Sequence, residues 1–453
     1  MNKAKKRVLF INPPFGTNVR EDCGKLVNDK DARLPFDLMR LASIAEQCGC
    51  EVKISDYNLG GDLKTDLSIF QPHYVVANVS LQSFKNDISM LQIIKLAVPW
   101  VKIIVKGLVF LTYNTNAIYE KSFIDYIIIG EPELTLKEIL QGVPEDEILG
   151  LCYRKNFQGV KNSLRPFDVV LDDLPYPLRD AKQTQAVIEI SRGCPYGCFA
   201  CLRTTMAGGE IRFRSVNSVI DEIKECIKTY KIKNFYFKSA YFNFDDNWVK
   251  EFCEKIIGEK LDITWSTEVL PSGIEQEIVN LMRKSGCRSV SVVIESGSQK
   301  ILDCLKKGLK LDTITQTMNA FQQAKISISA SFGIGHPWDS EETVNETINF
   351  AIKLNCDNVE FYSPAPLPGS LFYAYAMQTK LFEGNTTFDG IYKQPVIRSH
   401  KLTKERIKTL LAQAERTYNL RASYILKTLA NKKGLKAKYN YLSKIVNLLK
   451  QKT

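Results

Sequence analysis

Two series of alternating strand and helix patterns, parted by a proline-rich stretch, constrain this chain more than any other feature. In the first series, β-rich runs at residues 8–12, 51–56, 74–80, 102–106 and 126–129 are separated by helical patterns. The pattern at 36–47, for example, sets Leu38, Leu41, Ala42 and Ala45 on one face. Strands alternating with helices predict βαβ units, and so a parallel sheet covered on both sides. Five such units make a doubly wound, flavodoxin-like domain over residues 1–145. Its ligand belongs beyond the carboxyl ends of the strands. Pro13, Pro14, Ser80, Gly107, Gly130 and Glu131 fall at those ends.

Residues 146–183 read as a linker. Pro166, Pro175 and Pro177 interrupt it, Asp172-Asp173 makes an acidic turn, and little periodicity is left. The second series covers 184–395, with runs at 186–191, 234–239, 262–268, 289–295, 326–333 and 358–363. Helical patterns follow, as at 219–229 and 342–353. Six βα units fall short of the eight that close a barrel. They predict a partial (βα)6, TIM-like barrel with functional groups at the carboxyl ends of its strands. Residues 396–453 read as a helical segment. Thr403 can cap a helix whose apolar face is Ile407, Leu410, Leu411, Ala414 and Tyr418. A last pattern repeats at Tyr441, Leu442, Ile445, Leu448 and Leu449.

Composition fits an α/β protein of this size. With 45% apolar and 25% charged residues, the chain is that of a folded protein, not a disordered one. No apolar run reaches the roughly 18 residues of a membrane span. The apolar run at 8–11 is too short for a signal-peptide core, so a cytoplasmic location is expected. The net charge of +11 is concentrated at one end. After Glu415 there is no Asp or Glu, but ten Lys and Arg residues lie between 416 and 452.

Three of the twelve cysteines stand together in Ser191-Arg-Gly-Cys194-Pro-Tyr-Gly-Cys198-Phe-Ala-Cys201, directly after the first strand of the second series. Three thiolates on one loop at a barrel rim suit an iron–sulfur cluster. A [4Fe–4S] cluster takes four ligands, so one iron stays open for a small molecule. Structural zinc needs four protein ligands, commonly as two separated pairs, and no second pair follows. Cys226 is alone on a helical pattern.

Cys-x3-Cys-x2-Cys after the first strand of such a barrel resembles the radical S-adenosylmethionine (SAM) superfamily. The doubly wound domain ahead of it resembles that of the cobalamin-binding subgroup, and the likeness spans roughly residues 7–425. It implies [4Fe–4S] ligands at Cys194, Cys198 and Cys201. Val293-Ile-Glu295-Ser296-Gly-Ser298 resembles the fourth-strand segment that approaches the SAM ribose and methionine, and Gly333-Ile334-Gly335 the fifth-strand segment that packs on adenine. Phe199 and Ser239 complete the implied SAM contacts. Cobalamin is implied at Pro13, Pro14, Ser80, Gly107, Gly130 and Glu131. Arg212-Phe-Arg214-Ser215 resembles the basic turn after the cluster loop. Ala200 stands where an aromatic residue is usual, and Lys106-Gly107-Leu108-Val109 where Gly-Gly-Pro-His is common. Without an Asp-x-His-x-x-Gly motif, a histidine ligand to cobalt is not expected.

The resemblance implies an enzyme that generates a 5′-deoxyadenosyl radical and transfers a methyl group, through cobalamin, to an unactivated carbon. The other readings are a radical SAM cyclase or rearrangement enzyme, and a non-catalytic cofactor-binding sensor. The expected substrate is a small molecule, with a lipid or isoprenoid preferred, and the expected reductant is of flavodoxin or ferredoxin type. The basic carboxyl-terminal region suggests peripheral contact with the inner face of a membrane; nucleic acid is the less favoured partner.

Overall fold

In a computed structural model the described residues are 5–14, 20–22, 25–27, 35–58, 60–112, 121–180, 183–383 and 394–431, with 439–440, 442–443, 445–446 and 449. The chain forms two compact units. One comprises residues 1–187, 191–195 and 202–232; the other comprises 188–190, 196–201 and 233–453.

The first unit is built on a seven-stranded sheet. Its strands are β1 (Arg7–Asn12), β2 (Glu51–Asp56), β3 (Tyr74–Asn78), β4 (Lys102–Lys106), β5 (Tyr126–Ile128), β6 (Leu151–Lys155) and β7 (Gln158–Lys161), in the order β2-β1-β3-β4-β5-β6-β7. The first five are parallel. This 2-1-3-4-5 order is the flavodoxin-like one, and it reverses direction between β1 and β3. Successive side chains of β1 enter opposite cores. Leu9 and Ile11 pack with Val75, Ala77, Ile103 and Val105; Val8 and Phe10 pack with Val76 and Ile104. Helices α1 (Phe36–Gln47), α2 (Phe84–Ala97) and α3 (Pro132–Gln141) connect the strands. The first two of these cover opposite faces: Leu38, Leu41 and Ala45 lie in one core, Ile88, Leu91 and Ile94 in the other.

The stretch read as a linker differs. It holds β6 and β7, an antiparallel pair that extends the sheet. Leu151, Cys152 and Tyr153 are all buried, so the strand lacks the alternation that marks a half-exposed one. Asn156 and Phe157 take positive φ in its tight turn without a glycine, which removes the usual turn signal.

The second sheet has the order expected of consecutive βα units. Its strands are β8 (Ala186–Glu189), then β11 (Asn234–Lys238), β12 (Thr264–Glu268), β13 (Cys287–Glu295), β14 (Ser327–Gly333) and β15 (Asn358–Tyr362). The pairings from β11 to β15 are all parallel. Two short strands, β9 (Ser191–Arg192) and β10 (Arg212–Phe213), form an antiparallel ribbon of their own around the cysteine loop. Between 186 and 192 the structure thus breaks one expected strand into two. Helix α4 (Val216–Tyr230) is capped by Ser215, and α5 (Glu341–Leu354) by a reciprocal Ser340–Thr343 box.

Helix α6 (Lys404–Asn419) begins at Thr403, whose hydroxyl accepts from the Arg406 amide. Ile407, Leu410, Ala414 and Tyr418 are buried, as its periodicity requires. The last pattern turns out differently. Ile445 packs against Leu420, Ile425 and Leu429, whereas Leu442 and Leu449 are exposed; Tyr441 and Leu448 lie outside the described residues. No helix among the described residues is long and apolar enough to cross a membrane.

Candidate cluster and cofactor site

The cysteine loop is held at its root by two hydrogen bonds to the Cys194 backbone. The Cys194 amide donates to Gly208 O at 3.1 Å, and the Thr204 hydroxyl donates to Cys194 O at 3.1 Å. Further along, the Phe199 amide donates to Leu305 O, and Phe199 O accepts from the Phe372 amide at 2.9 Å. The Cys201 amide closes a turn onto Cys198 O. Cys194 is buried, Cys198 half-buried and Cys201 exposed. Gly193 is required where it stands. Its φ is +92°, and a Cβ there would lie 1.8 Å from Glu210 O.

Four buried cysteines outside the loop are chemically quiet. Burial pushes the thiols of Cys226, Cys253 and Cys356 up to about 12, and that of Cys287 higher still. Such thiols stay protonated and are poor ligands. No three His, Cys, Asp or Glu side chains among the described residues converge as they would around one metal ion. Three cysteines on one eight-residue loop are the sulfur donors that an iron–sulfur cluster takes.

Phe199 belongs to the apolar core. Its ring packs 4.9 Å from Trp338 and 5.2 Å from Phe372, so it anchors the loop. The hydrogen bond to Leu305 sets this part of the loop beside the segment that carries Lys307.

At the carboxyl ends of β13, β14 and β15 lies a charged group with Glu295 at its centre. Glu295 has a φ of +79°, a strained conformation for a residue with a side chain. Tyr362 donates its hydroxyl hydrogen to Glu295 Oε2 at 2.5 Å. Lys307 Nζ lies 3.7 Å from Oε1, and His336 Nε2 lies 3.7 Å from Oε2. Burial alone would raise the Glu295 carboxyl. Lys307, His336 and the Tyr362 hydrogen bond outweigh it and hold the group below its usual range. An ionised, partly covered carboxylate at a barrel-strand end can accept hydrogen bonds from a polar ligand.

The neighbouring predicted residues shape these strand ends. Ser296 Oγ and Thr347 Oγ1 are 3.0 Å apart, and the Gly297 amide donates to the same threonine oxygen. The amides of Gly335 and His336 both donate to Asp339 Oδ2. Ile334 is buried and donates to Tyr362 O. At Gly333 a Cβ would meet His336 Nε2 at 2.6 Å and Pro364 Cγ at 2.8 Å. Ser239, just past β11, is buried. Lys307, His336, Tyr362 and Asp339 were not singled out from the sequence for this network. Lys307 follows β13, His336 and Asp339 follow β14, and Tyr362 ends β15, so only folding shows that they meet.

In the first unit, Pro13, Ser80, Gly107 and Gly130 follow β1, β3, β4 and β5, at the carboxyl ends of the parallel strands. The side of the sheet expected for a flat ligand therefore carries small residues. Gly107 is needed for the backbone itself: with φ +155°, a Cβ would sit 2.0 Å from Val79 O. The Ser80 amide donates to Asp87 Oδ2 at 3.0 Å, and the Ser83 hydroxyl to the same oxygen at 2.8 Å. Burial pushes the Asp87 carboxyl up to about 7 against those hydrogen bonds. Glu131 differs from the other expected contacts, because its carboxylate is held by Arg212 and Arg192. Arg214, in the same basic turn as Arg212, pairs with buried Glu222, as does Arg179. His73 accepts the Arg7 amide at Nδ1, a structural role at the start of β3.

Residues 188–351 match the sequence family described as the radical SAM superfamily. The chain is 30% identical, over 69% of its length and 71% of the relative's, to the uncharacterized methyltransferase PH0819 of Pyrococcus horikoshii. It is 25% identical, over 92% of its length and 90% of the relative's, to the cytidylyl-2-hydroxyethylphosphonate methyltransferase of Streptomyces wedmorensis. Its fold is similar to that of the cobalamin-dependent SAM radical enzyme OxsB, solved with aqua-cobalamin and SAM bound. The TM-score is 0.76 at 16% identity, covering 98% of this chain and 71% of that one. With the cysteine loop, the six consecutive βα units and a relative this similar over most of both chains, the chain belongs to the radical SAM superfamily of enzymes.

Proposed function

We propose that the protein is a cobalamin-dependent radical SAM methyltransferase acting on an unactivated carbon of a small molecule. The observation that carries this reading is the pairing of domains: a 2-1-3-4-5 parallel sheet with small residues at its strand ends, followed by a six-unit βα barrel with the three-cysteine loop after its first strand. Two named methyltransferases among the relatives support the reaction class.

Cys194, Cys198 and Cys201 would hold a [4Fe–4S] cluster, with Glu295, Ser239 and the turns at 296–298 and 333–335 toward SAM. Pro13, Pro14, Ser80, Gly107 and Gly130 would face cobalamin. Once bound, these groups supply the radical and methyl-transfer chemistry, and the protein positions and shields them. Glu295 is held ionised, so it offers acceptors and no acidic proton. Phe199 and its aromatic neighbours fix the middle of the cluster loop and fill the space behind it. The reaction needs no side-chain base, which agrees with a site assembled from thiols, serines and strand-end glycines.

The preferred substrate is a lipid or isoprenoid, and the preferred electron donor is a flavodoxin or ferredoxin. Support for contact with an anionic membrane comes from the carboxyl-terminal region. There Tyr439, Leu442, Val446 and Leu449 are exposed at helical spacing in a stretch with basic residues and no acidic ones. Flotation with anionic and with neutral vesicles tests that contact; equal binding to both, or to neither, would contradict it.

Anaerobic reconstitution with iron, sulfide, cobalamin, SAM and reductant, followed by incubation with a lipid extract, tests the whole reading. Transfer of the SAM methyl carbon to extract material supports it. Formation of 5′-deoxyadenosine with a rearranged but unmethylated product would favour a cyclase. No SAM cleavage would point to a non-catalytic sensor.

A further inference from the structure

Helix α3 opens with two acidic residues, Glu131 before its first turn and Glu133 within it, and Leu136, Ile139 and Leu140 fix the helix in the core. Acidic groups are favourable at a helix amino terminus, but these are also only 5% and 4% exposed. Buried carboxylates need partners, and here the partners are arginines of the β9–β10 ribbon. Arg212 places Nη2 2.5 Å and Nη1 3.1 Å from the two Glu131 oxygens. Arg192 reaches Glu133 at 2.5 Å and Glu131 at 3.4 Å.

The two arginines are direct partners in the ribbon register. Side by side on adjacent strands they repel one another, and the carboxylates of α3 offset that repulsion. Only Gly193 separates Arg192 from Cys194, and its backbone has no room to shift toward Glu210. The ribbon therefore passes its position to the first cysteine with little slack.

We propose that Glu131 and Glu133 are positioning residues for Cys194, acting through Arg192 and Arg212. This rests on the cluster reading above and gives Glu131 a role other than contact with cobalamin. A carboxylate pair on the first sheet's last parallel βα unit thereby sets the geometry of an iron ligand.

The test uses the full-length protein, reconstituted anaerobically, with E131Q and E133Q beside wild type. Glu138→Gln, which alters the Glu138–Arg165 pair on the same helix, is the control. Second-layer changes around metal ligands commonly cost about 10–100-fold. Release of iron to a chelator should accelerate about tenfold or more in E131Q and E133Q but not in the control. The electron paramagnetic resonance spectrum of the reduced cluster with SAM should also change. Cobalamin uptake should stay near wild type, and the thermal midpoint should fall in both variants because each breaks a buried ion pair; iron release is therefore compared well below that midpoint. The charge swap E131R/R212E should restore part of the iron retention lost in E131Q, which a loss of bulk packing would not allow.

Wild-type iron retention and spectra in both variants would overturn the proposal. So would loss of cobalamin uptake with an unchanged cluster, which would assign Glu131 to cobalamin. If wild type itself takes up no iron, the cluster reading fails and this inference with it.

Discussion

Tyr362 reaches across an intervening strand to donate a hydrogen bond to Glu295 at 2.5 Å. Together with Lys307 and His336, each 3.7 Å away, it keeps a largely covered carboxyl ionised in a strained backbone position. Glu295 is the side chain on which the SAM half of the proposed site depends most, because none of its partners is its neighbour in sequence.

Removing its lysine partner should therefore be costly. In K307M the largely covered carboxylate loses its lysine partner, and breaking a buried pair typically costs about 3–5 kcal/mol. The low end is expected here, since Tyr362 and His336 remain. The folded-state value of Glu295 lies below its ordinary 4.5. Its contribution is thus full above that ordinary value and disappears as pH falls through the depressed one. Urea unfolding between pH 3 and 8 should show K307M less stable at neutral pH, with a weaker dependence on acid.

Asp87 should give the opposite slope. Its carboxyl is pushed up to about 7 by burial, so between the ordinary 3.8 and about 7 the folded protein binds the proton more tightly than the unfolded chain. Stability then falls as pH rises through that window, by a few kcal/mol at most, on the order set by 1.4 kcal/mol per tenfold shift. D87N keeps an acceptor for Ser80 and Ser83 and cannot ionise. Thermal midpoints between pH 4 and 8 should flatten in D87N, with the variant more stable than wild type at pH 8.

Cysteines of the loop and of the core should separate cleanly. C198A should lose the cluster while keeping its secondary structure. C226A should keep its iron and lose about 1–2 kcal/mol of stability, the usual cost of a small core truncation. Iron analysis and circular dichroism on both variants measure the two effects independently.

Gly193 makes a sharper test of loop geometry. G193A combines a positive φ, which costs about 1–3 kcal/mol, with a Cβ 1.8 Å from Glu210 O. It should lose most of its iron while the helical signal stays near wild type, measured by iron content and circular dichroism.

Much of this arrangement was legible in the residues. The β-rich run at 8–12, the helical pattern at 36–47 and the Thr403 cap are local signals, and the structure repeats them. The pair β6 and β7 was not legible, because Leu151, Cys152 and Tyr153 are buried together and their turn uses Asn156 and Phe157 at positive φ. The partners of Glu295 and Glu131 were hidden for another reason. Lys307, His336 and Tyr362, like Arg192 and Arg212, read as ordinary strand-end or turn residues until topology brings them to one carboxylate.

The most direct measurement is reductive cleavage of SAM by anaerobically reconstituted protein, with C198A alongside. A brown, iron-loaded wild type that forms 5′-deoxyadenosine, beside a C198A variant that forms none, is the predicted result. A colourless wild type that binds zinc in the loop, or a C198A variant that cleaves SAM as well as wild type, would contradict the account.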